Sequence, residues 1–176
     1  MIRKVVISGP ESTGKSTLCE QLASRYQTLW VPEYAREYLR QRGPHYSYSD
    51  LLEIARGQLA LEEAYAARLS NGMLFIDTNM YVMKVWCEYV FGKCHPWILD
   101  QIATRSYDLY LLMAPDLIWV EDELREYPDP ATRQELFHIY RSDLLCQHVP
   151  WTEIRGSYNE RLYSALSAID GIHMHH

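Results

Sequence analysis

The chain has 176 residues, enough for a substantial core at the usual scale of about 100–200 residues per domain, and the length predicts one domain and no second full one. Lys and Arg total 17 against 23 Asp and Glu, a formal charge of −6, the wrong sign for a protein that holds a nucleic-acid backbone. The longest apolar run, Leu109 to Ala114, is far short of the roughly 18 residues that a membrane span needs, and the four scattered cysteines form no C-x-x-C pair, which argues against a disulfide framework or a zinc site and makes a reducing cytoplasm the default.

Arg3 to Ser8 reads as a strand that starts too close to the N-terminus to leave room for the apolar core of a signal peptide. Lys15 to Tyr26 follows with Leu18, Leu22 and Ala23 at helical spacing. The run Leu29-Trp30-Val31 is a second strand before Pro32, and Tyr34 to Arg42 a helix stopped by Gly43-Pro44. A long helical pattern from Ser49 to Ser70 is expected to close at Asn71-Gly72. Met73 to Ile76 reads as a buried strand, followed by helical patterns around Tyr81 to Val90 and Pro96 to Ala103, and then by a fourth strand, Leu109 to Ala114. A charged, proline-bearing stretch, about 116–134, separates that strand from a helix beginning near Ala131. A short strand over Thr152 to Arg155 leads into a helix, Ser157 to Ile169, opened by a Ser157-x-x-Glu160 capping box. Continuous apolar strands alternating with helices predict an α/β domain over 1–172: a five-stranded parallel sheet covered on both faces, in three layers. The His173-Met174-His175-His176 end reads as a flexible tail.

The turn after the first strand carries the chemistry. Gly9-Pro10-Glu11-Ser12-Thr13-Gly14-Lys15-Ser16 fits G-x-x-x-x-G-K-[ST] between a strand and a helix, the context this phosphate-binding loop requires. Glycines allow backbone N–H groups to converge on phosphate oxygens, the helix N-terminus adds its positive end, Lys15 reaches the outer phosphates and the Ser16 hydroxyl binds Mg²⁺. Gly9, Glu11, Ser12, Thr13, Gly14, Lys15, Ser16 and Thr17 are therefore the expected ATP-binding set. A second Mg²⁺ carboxylate belongs at the end of a neighbouring strand, where Asp77 stands; a strand-end turn is the plainer explanation for it. Glu33, delivered to the same rim, is a candidate to accept a substrate proton or to hold sugar hydroxyls, with helix capping as the alternative. Arg36 on the same helix is either an acceptor contact or a solvated ion-pair partner.

Transfer of a phosphoryl group needs positive charge that covers it and excludes water. The 116–134 stretch has the character of a lid, with Arg125 and Arg133 as candidate phosphate clamps and paired surface arginines as the competing reading. Thirteen of the 17 basic residues are Arg and 14 residues are Tyr. A flat ligand could stack on Trp30, Tyr34, Tyr81 or Trp86, although for any single one of them a half-buried core aromatic is the favoured reading.

The blocks GPESTGKST (9–17), EYAREY (33–38), FIDTN (75–79), FGKCHP (91–96), YDLYLLMAPD (107–116) and WVEDELR (119–125) together resemble the ribosylnicotinamide kinase domain of bacterial NAD-biosynthesis regulators, in the same order and over nearly the whole chain. The resemblance implies a P-loop NTPase of the nucleoside-monophosphate-kinase-like type with an arginine-bearing lid. It also implies ATP- and Mg²⁺-dependent phosphorylation of the 5′-hydroxyl of nicotinamide riboside, by a kinase domain standing alone. The expected acceptor-side residues are Glu33 and Arg36, the aromatic candidates Tyr34 and Trp86, and Asn79 from the FIDTN block. The chain departs from the pattern at Pro32, where the family has Trp, and at Asn79, where it commonly has Asp. Another nucleoside or small-metabolite acceptor, or a regulatory nucleotide-binding ATPase, are the alternatives. The expected partner is a nucleoside-type small molecule, not nucleic acid or membrane, and self-association stays open.

Overall fold

In β1 (Ile2–Ser8), Val5 and Ile7 face one way and Val6 the other, and all three are fully buried, the pattern of a strand covered on both sides. The computed structural model describes residues 1–173, so the tail reading of His173–His176 lies outside the described residues apart from the backbone of His173. β1 is the centre of a sheet of order β2-β3-β1-β4-β5, with β2 (Leu29–Val31), β3 (Gly72–Asp77), β4 (Leu109–Met113) and β5 (Trp151–Ile154). Every neighbouring pair is parallel, so the five-stranded parallel sheet expected from the sequence is present.

The alternation of side chains along the strands decides which helices each face receives. Val5, Ile7, Phe75, Leu111 and Met113 meet Leu18 and Leu22 of α1 (Lys15–Tyr26) and Ala165 and Ile169 of α7 (Tyr158–His173). The opposite parity, Val6, Ile76 and Leu112, meets Val82 and Val85 of α4 (Met80–Phe91) and Leu136, Phe137 and Tyr140 of α6 (Pro130–Leu145). A third apolar cluster joins α4 to α2 (Tyr34–Arg42), α3 (Tyr48–Ala66) and α5 (Pro96–Thr104) through Leu51, Ile54, Met83 and Ile98. The result is three layers, a sheet with helices on both faces.

Helix ends follow local chemistry. At the start of α7 the predicted capping box forms: Ser157 N donates to Glu160 Oε2 at 2.7 Å, and Glu160 N to Ser157 Oγ at 3.4 Å. Ser47 and Asp50 form a second box that opens α3. The expected end of that helix at Asn71-Gly72 is wrong. α3 stops at Ala66, after which Arg68 N bonds Tyr65 O and Leu69 N bonds Ala66 O in tighter turns. Gly72, at φ 93°, begins β3 opposite Ile2, so its left-handed backbone starts a strand and does not cap a helix.

Register then places the site. Ile7 lies opposite Asp77, so the end of β3 stands beside the point where β1 opens into the glycine-bearing loop. β2 delivers Glu33 one strand further out. This is the crevice outside the carboxyl ends of a parallel sheet, where such folds bind ligands.

Candidate active site

The loop 9–16 leaves β1 at Gly9, whose φ is 133° and where a Cβ would lie 2.6 Å from the Met113 carbonyl oxygen; no other residue fits there. Ser12 (φ 55°) and Gly14 (φ 79°) are also left-handed, turning successive amides toward one side as in an anion-binding nest. Lys15 Nζ donates to the carbonyls of Gly9 at 3.0 Å and Pro10 at 2.8 Å, and Thr13 Oγ1 to Pro10 O at 2.8 Å. Ser16 Oγ donates to Asp77 Oδ2 at 2.5 Å. Thr17 is an exposed residue on the lining of the same cleft.

Asp77 is fully buried. Burial raises its carboxyl above the ordinary range, opposed chiefly by the charge of Lys15. Glu33 occupies the N-cap position of α2, yet its side chain makes no cap bond, which leaves the carboxylate available to the cleft. Its pKa is pushed up to about 7, first by burial and then by the negative charge of Asp77, with Lys15 and Arg36 pulling the other way. Arg36 Nε lies 3.8 Å from Glu33, and its Nη1 donates to Asp122 of the lid at 3.0 Å. One buried residue that sequence reasoning missed aligns the two carboxylates. Gln58 accepts from Tyr34 N at 2.7 Å and donates to Pro32 O at 3.3 Å and Asp77 O at 3.4 Å, tying the backbone on both sides of Glu33 to the end of β3.

Between β4 and α6, residues 114–129, within the 116–134 stretch read from sequence as a lid, pack against the loop. Val120 N donates to Ser12 Oγ at 2.9 Å, and Glu11 accepts from the amides of Glu126 at 3.0 Å and Tyr127 at 3.3 Å. Glu11 thus faces the lid with its side chain. Arg125 donates to Val120 O and reaches Ser12 Oγ at 3.5 Å, at the cleft wall. Arg133 differs: it is 4% exposed, and its guanidinium donates to Ser12 O at 2.9 Å, Glu11 O at 3.5 Å and Leu117 O at 3.3 Å. Its terminal nitrogens hold backbone, which corrects its reading as a mobile phosphate clamp.

The cleft, about 380 Å³, runs from the loop under the lid to an aromatic chamber. Trp86 lines that chamber with Tyr46 and Tyr89, and its indole N–H donates to Tyr46 OH at 2.8 Å. Tyr46 in turn donates to Glu126 of the lid, at 2.7 Å from Oε2. Tyr46 and Tyr89 were signalled only by the tyrosine surplus. Tyr34 and Asn79 are not on this lining. The Tyr34 ring packs on the bare backbone of Gly57, where a Cβ would fall 2.0 Å from it. Asn79 is buried as the N-cap of α4, accepting from Tyr81 N at 3.1 Å and donating to Tyr110 OH at 3.4 Å; a capping side chain is what that position needs. Trp30 packs against the α1 side of the sheet, and Tyr81 stands edge-on to Tyr110.

Ser16 and Asp77 present one hydroxyl and one carboxylate, hard oxygen donors of the kind Mg²⁺ takes alongside phosphate oxygens and water. Among the described residues no cluster of three or more His, Cys, Asp or Glu could cage a metal by itself.

A family model described as an AAA domain matches residues 4–161. The chain belongs to that family. Over 142 residues it is 33% identical to the trifunctional NAD biosynthesis/regulator protein NadR of Escherichia coli (strain K12), covering 78% of this chain and 34% of that protein. The chain thus spans about a third of the length of the curated relatives it matches. A NadR protein solved in complex with NR superimposes with a TM-score of 0.83 at 23% identity, over 97% of this chain and 49% of that one. Thymidylate kinase from Candida albicans superimposes with a TM-score of 0.66 at 15% identity, over 98% of this chain and 92% of that one. The fold is that of the P-loop kinases. Among the described residues no helix is long and apolar enough to cross a membrane.

Proposed function

We propose that this AAA-domain protein transfers the γ-phosphoryl group of ATP to the 5′-hydroxyl of nicotinamide riboside in the cytoplasm. The observation that carries the reading is the continuous cleft. It joins a phosphate-binding loop to an aromatic chamber, with Glu33, whose carboxylate is tuned to about 7, on the wall between them. The similarity to NadR supports this choice of acceptor.

The residues divide the work by position. Amides of the loop and Lys15 bind the phosphates, and Lys15 exchanges the Gly9 and Pro10 carbonyls for phosphate oxygens. The base of ATP rests against Tyr158 and Ile118, both exposed at the loop end of the cleft. Ser16 and Asp77 would hold Mg²⁺, which when bound neutralises charge on the phosphates. Trp86 and Tyr46 offer ring surfaces to a flat base, Arg36 lies beside Glu33 on the acceptor wall, and Arg125 and the lid exclude water from the reacting groups. Glu33 takes the proton of the attacking hydroxyl.

Incubation with ATP, Mg²⁺ and a panel of nucleosides tests the substrate. Nicotinamide riboside is expected to be consumed with formation of its mononucleotide; its inertness beside a phosphorylated alternative would reject the acceptor. Glu33→Gln is expected to lower kcat by about 10²-fold with little change in ATP affinity. The sign of the pH effect follows from the raised pKa. Below about 7 the wild-type carboxyl holds its proton and cannot accept another, so activity rises with pH through that region. The Gln variant should lack this acid limb in a pH–rate profile; an unchanged limb would remove Glu33 from the proton-accepting role.

A further inference from the structure

Fully buried arginine side chains are uncommon, because desolvating a guanidinium is costly unless its donors are used. This protein has two against the same loop. Arg133 on α6 is 4% exposed and Arg161 on α7 is 1% exposed. From the lid side, Arg133 donates to the carbonyls of Ser12 and Glu11. From the α7 side, Arg161 Nη1 donates to Thr13 O at 3.0 Å. Both also fasten the surrounding frame. Arg133 holds Leu117 O, while Arg161 holds Ala114 O at 3.0 Å and Gly156 O at 2.7 Å, and pairs with Asp116.

In a planar trans peptide, the carbonyl of one residue and the N–H of the next point in opposite directions. Fixing the carbonyls of Glu11, Ser12 and Thr13 away from the cleft therefore fixes the amides of Ser12, Thr13 and Gly14 toward the other side. The two carbonyls before them, on Gly9 and Pro10, are taken by Lys15 and Thr13 Oγ1. None of the three amides donates to another group among the described residues. Among the described residues, Arg133 Nε is buried without a hydrogen-bond partner, so the carbonyl contacts are made by its two terminal nitrogens alone. Arginine suits the task because carbonyls in several directions need a rigid fork of donors, which the point charge of lysine lacks.

We propose that Arg133 and Arg161 form a two-sided clamp on the outer carbonyls of the loop, positioning its amides for the phosphates of the nucleotide. The inference rests on the nucleotide half of the function proposed above and is independent of the acceptor. Both are positioning residues, acting through the loop backbone.

The test uses Arg161→Lys and Arg133→Lys, with thermal melts beside calorimetric titration of ATP and of inorganic tripolyphosphate, which has no base or sugar. Both variants are expected to melt cooperatively and to lose affinity for the two ligands by the same factor, about tenfold or more. KM for the acceptor should stay unchanged. Unaltered tripolyphosphate affinity in a folded variant overturns the clamp. So does loss of the fold in both variants, which would make the arginines scaffold only. Failure of the wild-type protein to bind either ligand would instead remove the nucleotide reading itself, whereas rejection of nicotinamide riboside alone leaves the clamp standing.

Discussion

Lys15→Ala is expected to lower phosphoryl transfer by about 10³-fold, the scale on which removing a pre-placed charge-stabilising donor acts, with a melting temperature close to that of the wild-type protein. In the structure the ammonium group is held by two loop carbonyls. Its loss leaves acceptors in an open cleft that water can satisfy, so stability changes little. Phosphoryl transfer leaves the protein little beyond positioning and electrostatics to contribute, and Lys15 supplies both. The variant carries a second signature. Lys15 lowers the pKa of both Glu33 and Asp77, so its removal should move the acid limb of the residual activity to higher pH. A pH–rate profile and a melt on the same preparation measure both effects. Substantial turnover with an unmoved limb would exclude Lys15 from the phosphate site.

The parts of this site readable from sequence are those whose cause is local. The loop 9–16 announces itself because its glycines, lysine and serine are needed at fixed spacing, and Asp77 is a candidate because it closes a strand-like run of the kind that ends at the same rim. The capping box at Ser157 is equally local. The acceptor wall is different. Asn79 looks like a ligand beside Asp77, but the open N-terminus of α4 and the Tyr110 hydroxyl claim it. Tyr34 looks like a stacking ring, but Gly57, 23 residues later, leaves a flat stretch of α3 that receives it. Gln58 and Arg161 carry no sequence signal, and Tyr46 none beyond the tyrosine surplus, because their partners are distant: Arg161 and Thr13 are 148 positions apart. The arginine surplus is likewise divided by tertiary structure alone, Arg125 facing the cleft and Arg133 the backbone.

Asp77→Asn separates the metal role from the structural one. Asparagine keeps the shape and an oxygen that can accept from Ser16 Oγ, so the loop and the end of β3 should remain joined. What it removes is the charge. Burial has raised the Asp77 carboxyl above its unfolded value, which means that the folded state disfavours the ionised form; stability is lost as pH rises from the unfolded pKa through the folded one. Without Mg²⁺, at neutral pH, the Asn variant should therefore melt at or above the wild-type temperature, and the difference should shrink as pH falls toward the ordinary carboxyl range. With Mg²⁺ and a non-hydrolysable ATP analogue the order should reverse, because a ligand bound by the native state stabilises it in proportion to the logarithm of its affinity. In turnover, the Mg²⁺ concentration for half-maximal rate should rise by about tenfold or more, the loss expected for one direct charge contact. A strand-end aspartate with only a turn to make would show the reverse pattern: a lower melting temperature without Mg²⁺ and an unaltered Mg²⁺ titration.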